Sequence, residues 1–319
     1  MRDTILNFCG QFKYEPEIIN PDKLGRFNKF IIAGMGGSNL VADLLKIRAP
    51  EIDIIAHRNY GLPTVPDLSQ RLLIANSYSG NTEETIDSLN HAFKKSVPAT
   101  VVATGGKLIE LAKKHGLPYI QMPATGIQPR SALGFNIKAI AKLIGRNDFI
   151  EELNEIHKIL HPEEYEKQGK TLAKKLKGYI PVIYSSVENS GIAYNWKIKF
   201  NETGKIPAFY NVFSELNHNE MTGFNVQKST AGLSKNFHFI FLKDPADHPK
   251  IQKRMEITAK LYTDRELPVE ILELRGKGIF HKIFSSLVLA DWTSYYTAEQ
   301  YGVEPEQVPI VEEFKKLIA

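Results

Sequence analysis

Short, almost continuously apolar runs alternate with longer amphipathic stretches along this chain. That alternation limits the folds open to it more than any other feature. FNKFIIAG (27–34), IDIIAH (52–57), RLLIANS (71–77), ATVVATG (99–105) and PYIQMP (118–123) read as strands. Ser38 to Lys46, NTEETIDSLNHAFKK (81–95) and KLIELAKKHG (107–116) read as helices, the last stopping on Gly116. A further helix, SALGFNIKAIAKLIG (131–145), closes on Gly145. A strand apolar at successive positions is buried on both faces, which calls for a parallel sheet with helices on either side.

A polar stretch rich in Glu and Lys, from Asn147 to Lys177, then leads into a second round. YIPVIYSS (179–186), IPAFYNVF (206–213), FHFIFLKD (237–244) and VEILELRG (269–276) are its strands. GIAYNWKIKFNETG (191–204), a helix from Gly278 to about Gln300 and a short one from Val308 to Ile318 accompany them. Strand–turn–helix 29–46 answers strand–turn–helix 182–199, each with a Ser/Gly turn where open α/β sheets bind ligands. The expected fold is α/β, two αβα sandwich domains spanning 1–150 and 151–319, each with a parallel sheet flanked by helices. A chain of 319 residues suits two such domains, each able to bury a core of its own.

Composition narrows the partners. The net charge is +4, from 40 basic against 36 acidic residues, with no stripe of Lys and Arg. This suits a small anionic substrate and argues against nucleic acid. The one cysteine, Cys9, excludes a disulfide within the chain and a Cys-based metal site, and is expected to be a packing residue. The start, MRDTILNFCGQFKYEPE, lacks the pattern of a signal peptide, and no apolar run approaches the ~20 residues that span a bilayer. A cytoplasmic protein without membrane partners is expected.

Two turns carry the chemistry. In AGMGGSN (33–39), Gly34, Gly36 and Gly37 allow close backbone approach at a helix N-terminus, which favours an anion. The spacing fits neither a dinucleotide fingerprint, since Asn39 stands where a glycine is needed, nor a Walker loop. Alone, the turn fits a ligand site or tight packing equally well. In NSYSGNTEET (76–85), Ser77, Ser79 and Thr82 cluster around Gly80 before a helix. One cap needs one hydroxyl, and three hydroxyls beside amide groups can hold a phosphate without any lysine.

Gly-x-Gly-Gly-Ser followed by Ser-x-Ser-Gly-x-Thr-x-Glu-Thr resembles the sugar isomerase (SIS) domain. Pro129-Arg130, WKIKFNETGKIPAF (196–209) and FSELNHNEMTGF (213–224) are similar to the bifunctional phosphoglucose/phosphomannose isomerases of the archaeal type. The resemblance spans roughly residues 25 to 318 and implies two SIS-type domains and interconversion of glucose 6-phosphate, and mannose 6-phosphate, with fructose 6-phosphate through a cis-enediol. It also implies site residues. Gly36, Gly37, Ser38, Ser77, Ser79 and Thr82 would bind the substrate phosphate. Glu202, of Asn-Glu-x-x-Lys, would be the base moving the C1/C2 proton. By itself Glu202 would read as a helix-end ion pair with Lys205 or Lys199.

Arg130 would stabilise the enediolate oxygens. His218 would open the sugar ring, entering the site from the second chain of a homodimer. On the terminal helix Lys315, a better match than Lys316, would assist ring opening. Relatives that accept both C2 epimers tend to carry a small residue at about the position of Val308. No cofactor and no metal are implied; the zinc-dependent mannose phosphate isomerases use His/Glu clusters on a β-barrel. Two rival readings are an SIS module that binds a sugar phosphate without turnover and an amino-sugar phosphate isomerase.

Overall fold

A computed structural model describes residues 1–318 and divides the chain into two compact units. One runs from Asn7 to His161; the other comprises Met1–Leu6 and the chain from Pro162 onward. The chain starts with α1 (Arg2–Leu6). The first unit then runs β1 (Lys29–Ala33), α2 (Gly37–Arg48), β2 (Asp53–His57), β3 (Leu72–Asn76), α3 (Glu83–Lys94) and β4 (Ala99–Ala103). It continues with α4 (Gly106–His115), β5 (Tyr119–Gln121), α5 (Leu133–Leu143) and α6 (Asn147–Ile159). The second unit adds α7 (Glu166–Lys175), β6 (Ile180–Ser186), α8 (Ser190–Glu202), β7 (Phe209–Phe213), α9 (Glu220–Gly223) and α10 (Ala231–Ser234). β8 (Phe237–Lys243), α11 (Pro249–Thr263), β9 (Val269–Glu273), α12 (Ile279–Tyr301) and α13 (Pro309–Ile318) complete it.

Both sheets are parallel, as the apolar runs required. The first has the order β2-β1-β3-β4-β5 and the second β7-β6-β8-β9. Every residue of β3 and of β4 is buried, because helices cover both faces of these inner strands. On one face Ile31, Leu73, Ala75 and Val101 pack with Leu89 of α3 and Leu108 and Ala112 of α4. The second unit's core is aromatic on one face. Tyr184, Phe213, Phe239, Phe241 and Tyr262 are all nearly inaccessible, with neighbouring rings 4.5 to 6.4 Å apart.

Two features depart from the expected division at residue 150. That position falls inside α6, whose Phe149, Leu153 and Ile156 are buried in the first unit beside α5. The first six residues join the second unit, where the Arg2 guanidinium donates to Glu166 at 3.0 and 3.2 Å and lies over the Trp292 ring. The polar run 222–234 takes in the end of the one-turn helix α9 and the whole of the one-turn helix α10. Among the described residues no helix is long and apolar enough to cross a membrane.

The long helix α12 organises the second unit, with sixteen of its residues buried against its neighbours. Gly169 of α7 meets it so closely that a β-carbon there would stand 2.4 Å from the Trp292 β-carbon. α8 sends the Lys199 ammonium to the Asp291 carboxylate of α12; these side chains are 3% and 9% exposed. A buried ion pair tolerates loss of both charges far better than loss of one. Lys199→Met alone should therefore destabilise the protein by ~3–5 kcal/mol, whereas Lys199→Met with Asp291→Leu should stay within about 1 kcal/mol of wild type. Urea denaturation of both variants checks this; a double variant as unstable as the single one would contradict it.

Candidate active site

Strand order locates the crevice before any side chain is considered. β1 lies between β2 and β3, so the chain leaves its carboxyl end toward one side and later returns on the other. At such a switch point the loops diverge and leave room for a ligand. The loops that follow β1 and β3 are the two turns singled out from the sequence.

Those loops are drawn together tightly. Asn76 Nδ2 donates to the Ser38 carbonyl at 2.6 Å, and the Tyr78 amide donates to Ser38 Oγ at 3.0 Å. A β-carbon on Gly34 would stand 2.5 Å from the Asn76 carbonyl oxygen. On Gly37 it would meet the Pro129 carbonyl oxygen at 2.6 Å and the Arg130 nitrogen at 2.8 Å. Glycine at these positions brings three segments, 34–38, 76–82 and 129–131, to one place. Arg130, 2% exposed, is thereby anchored beside the first loop. Gly36 supplies the left-handed turn, at φ +49°, that starts α2.

The hydroxyls have a specific arrangement. Thr82 occupies the N-cap position of α3, yet its side chain makes no capping bond; Thr82 Oγ1 lies 2.8 Å from Ser77 Oγ instead. Ser77 Oγ also accepts from the Gly80 amide at 3.1 Å, and exposed Ser79 accepts from the Asn81 amide at 3.2 Å. The amide end of α3, with its positive partial charge, thus stands beside a row of hydroxyls that do not cap it. Such an arrangement favours a bound anion.

One supporting element escaped the sequence reading. The loop after β4 props up the loop after β3. Thr104 Oγ1 donates to the Tyr78 carbonyl at 2.8 Å, and the Lys107 amide donates to Asn81 Oδ1 at 2.9 Å. Gly80, at φ +73°, lies against Gly105, whose carbonyl oxygen would be 1.8 Å from any β-carbon added there. The signal was the Gly105-Gly106 pair directly after a strand.

The remaining residues of interest belong to the second unit. Trp196, Lys199, Phe200 and Thr203 form the buried side of the end of α8. Glu202, at a neighbouring angle, is only partly buried. Lys199 takes Asp291 as its partner, and Lys205 Nζ donates at 2.6 Å to the Glu202 main-chain carbonyl.

His218 sits in the turn after β7, where its neighbours are tied down. Glu220 accepts from Tyr184 and Asn211, Asn219 Nδ2 donates to Glu215 at 2.6 Å, and Asn217 Nδ2 donates to Thr258 at 2.9 Å. His218 itself is exposed on this fixed frame. Lys315 is exposed on α13, where its ammonium donates to Glu312 at 2.7 Å. The structure therefore gathers Gly36, Gly37, Ser38, Ser77, Ser79, Thr82 and Arg130 at one crevice. It places Glu202, His218 and Lys315 on three separate elements of the other unit.

The second sheet has its own switch point, beside β6, and it is filled. Asn189 Nδ2 donates to Ser186 Oγ at 3.0 Å and to Asp244 and Asp247, each at 3.1 Å, and Lys282 also donates to Asp244. Burial, with Asp244 adjacent, raises the Asp247 carboxyl above the usual range. The donors at this switch point are thus engaged by carboxylates of the chain itself. Among the described residues no group of three or more His, Cys, Asp or Glu is placed to hold a metal ion.

Comparison with known proteins addresses the family of the chain. Residues 165–318 match the family model described as the bacterial phospho-glucose isomerase C-terminal SIS domain. A bifunctional phosphoglucose/phosphomannose isomerase of Caldicellulosiruptor bescii is 36% identical over 309 residues, covering 92% of this chain and 90% of that one. The enzyme of the same name from Aquifex aeolicus is 32% identical over 318 residues, covering 98% and 96%. The fold also superposes on the C-terminal domain of glucosamine-fructose-6-phosphate aminotransferase from Francisella tularensis, with a TM-score of 0.69 over 96% of this chain and 95% of that one, at 14% identity. With full-length relatives at this identity, the chain belongs to the bifunctional phosphoglucose/phosphomannose isomerase family.

Proposed function

We propose that this protein interconverts glucose 6-phosphate and mannose 6-phosphate with fructose 6-phosphate, serving glycolysis and gluconeogenesis in the cytoplasm. The observation that carries the reading is the β1–β3 crevice, where three hydroxyls, glycine amides and an uncapped helix end converge beside a buried arginine. A phosphate there is held by fixed dipoles, and the sugar carbons extend from it.

In this reading Ser38, Ser77, Ser79 and Thr82, with the amides at Gly36 and Gly37, anchor the phosphate. His218 passes a proton to the ring oxygen as the ring opens, with Lys315 assisting at the sugar oxygens. Glu202 removes the proton from C2, electrons move into the C1–C2 bond, and a cis-enediol forms. Return of the proton to C1, with the O2 hydroxyl proton passing to O1, gives the ketose. Arg130 supplies fixed positive charge where the enediolate oxygens develop negative charge. A positioned carboxylate base contributes typically ~10²–10⁴-fold to such a step.

The shared-site homodimer is part of the proposal. His218 stands exposed on a rigid turn at the end of β7, an edge strand whose Phe209 and Tyr210 are 54% and 41% exposed. An open strand edge with bare aromatic rings calls for cover, and a second copy would supply it while delivering the histidine.

Formation of fructose 6-phosphate from glucose 6-phosphate in a chelating buffer tests the activity; none at any enzyme concentration would refute it. Glu202→Gln should lower kcat by at least about a hundredfold while leaving inhibition by inorganic phosphate nearly unchanged. More than about a tenth of wild-type turnover would exclude Glu202 as the base.

For the anchor, Ser77→Ala with Ser79→Ala should weaken substrate and inorganic phosphate alike, each lost charge-assisted bond contributing ~1.5–3 kcal/mol. An unchanged inhibition constant for phosphate would rule out the loop. For the dimer, inactive His218→Ala and Glu202→Gln chains should complement one another when subunits exchange. Random pairing makes about half the dimers mixed, each with one intact site of two, so activity should return to about a quarter of wild type. Full exchange without recovery would place both residues in the same chain's site.

A further inference from the structure

Lys205 stands just beyond the end of α8 at φ +56°, a conformation that favours glycine over a side chain. Its ammonium donates to two carbonyl oxygens far apart in sequence, that of Glu202 at 2.6 Å and that of Gln307. Gln307 lies two residues before α13 begins at Pro309. Its turn is itself braced. The Glu304 carboxylate accepts the amides of Glu306 and Gln307 at 2.7 and 2.6 Å, and the chain's amino terminus pairs with Glu306 at 2.5 Å. Lys205 therefore joins the end of the helix carrying Glu202 to the root of the helix carrying Lys315.

That root matters because no residue of α13 is buried in the unit. Ile310, Phe314 and Leu317 are 76%, 59% and 79% exposed. The direction of α13 within its own unit is set at its base. Lys315 lies six residues along from Pro309, or ~9 Å at about 1.5 Å per residue, so a change of about 20° at the base moves it by ~3 Å. A shift of that size breaks a hydrogen bond.

We propose that Lys205 is a positioning residue for the isomerisation, a strut that fixes the terminal helix relative to the end of α8 and so keeps Lys315 in register with Glu202. The proposal rests on the site assignment above. The competing explanation is simple capping, in which the ammonium only satisfies carbonyls at a helix end.

Glycine separates the two, because Lys205→Gly removes the ammonium and at the same time relieves the left-handed backbone. Turnover of glucose 6-phosphate, inhibition by inorganic phosphate and amide hydrogen exchange should be measured on the full chain with Lys205→Gly, Lys205→Met and Lys205→Arg. The glycine and methionine variants should lose about tenfold in kcat with the phosphate inhibition constant within about twofold of wild type. Exchange should quicken in 304–318 and not in 190–202. Arginine, which keeps donors on a long side chain, should restore at least about half the turnover. Wild-type exchange in 304–318, or quickened exchange with full kcat, would overturn the proposal. If the wild-type protein itself fails to isomerise, the site assignment falls and the exchange data alone decide the strut.

Discussion

The β1–β3 crevice depends on polypeptide segments approaching more closely than a β-carbon permits. Gly34 against Asn76, Gly37 against Pro129 and Gly80 against Gly105 are contacts in which an alanine would overlap main-chain atoms. Through them the Ser38 hydroxyl reaches the Tyr78 amide, and Arg130 is buried beside α2 without a charged side chain next to it in sequence. Each glycine gives up backbone entropy on folding, and the return is a cleft lined by main-chain and hydroxyl dipoles already in place. Preorganised dipoles need no rearrangement when an anion arrives.

Helix ends are used in opposite ways in the two units. At α3 the capping hydroxyl is turned away to Ser77, so the amide end remains available to a ligand. At α8 the carbonyl end is closed by a lysine that also grips Gln307. One terminus is left without a side-chain cap and the other is closed by a side chain. Both roles follow from the same macrodipole, positive at the amide end and negative at the carbonyl end.

Much of this was legible in the sequence because inner parallel strands leave an unmistakable record. RLLIANS and ATVVATG are apolar on both faces, and the turns after FIIAG and LLIAN carry their glycines and hydroxyls within five or six positions. What was hidden is contact between residues distant in sequence. The stretch from Asn147 reads as polar and gives no sign of the surface that Phe149, Leu153 and Ile156 pack against, so a boundary drawn at residue 150 cuts through α6. Lys199 stands three residues before Glu202 and reads as its partner, yet its charge goes to Asp291. Lys205 and Gln307 are separated by 102 residues, and nothing periodic links them. The hydroxyl of Thr82 reads equally well as a cap or a ligand; only its orientation toward Ser77 distinguishes these.

The filled switch point of the second sheet bears on how the protein meets a crowded pool of metabolites. Two sheets of like design would ordinarily offer two anion crevices per chain. An unused one would sequester phosphorylated sugars where no base could act on them, and it would complicate the response to rising substrate. With Asp244 against Asn189 and Lys282, the chain satisfies those donors internally, and a tethered group acts at an effective concentration that a diffusing one seldom reaches. One of the two crevices of an internally repeated architecture is thereby given over to packing.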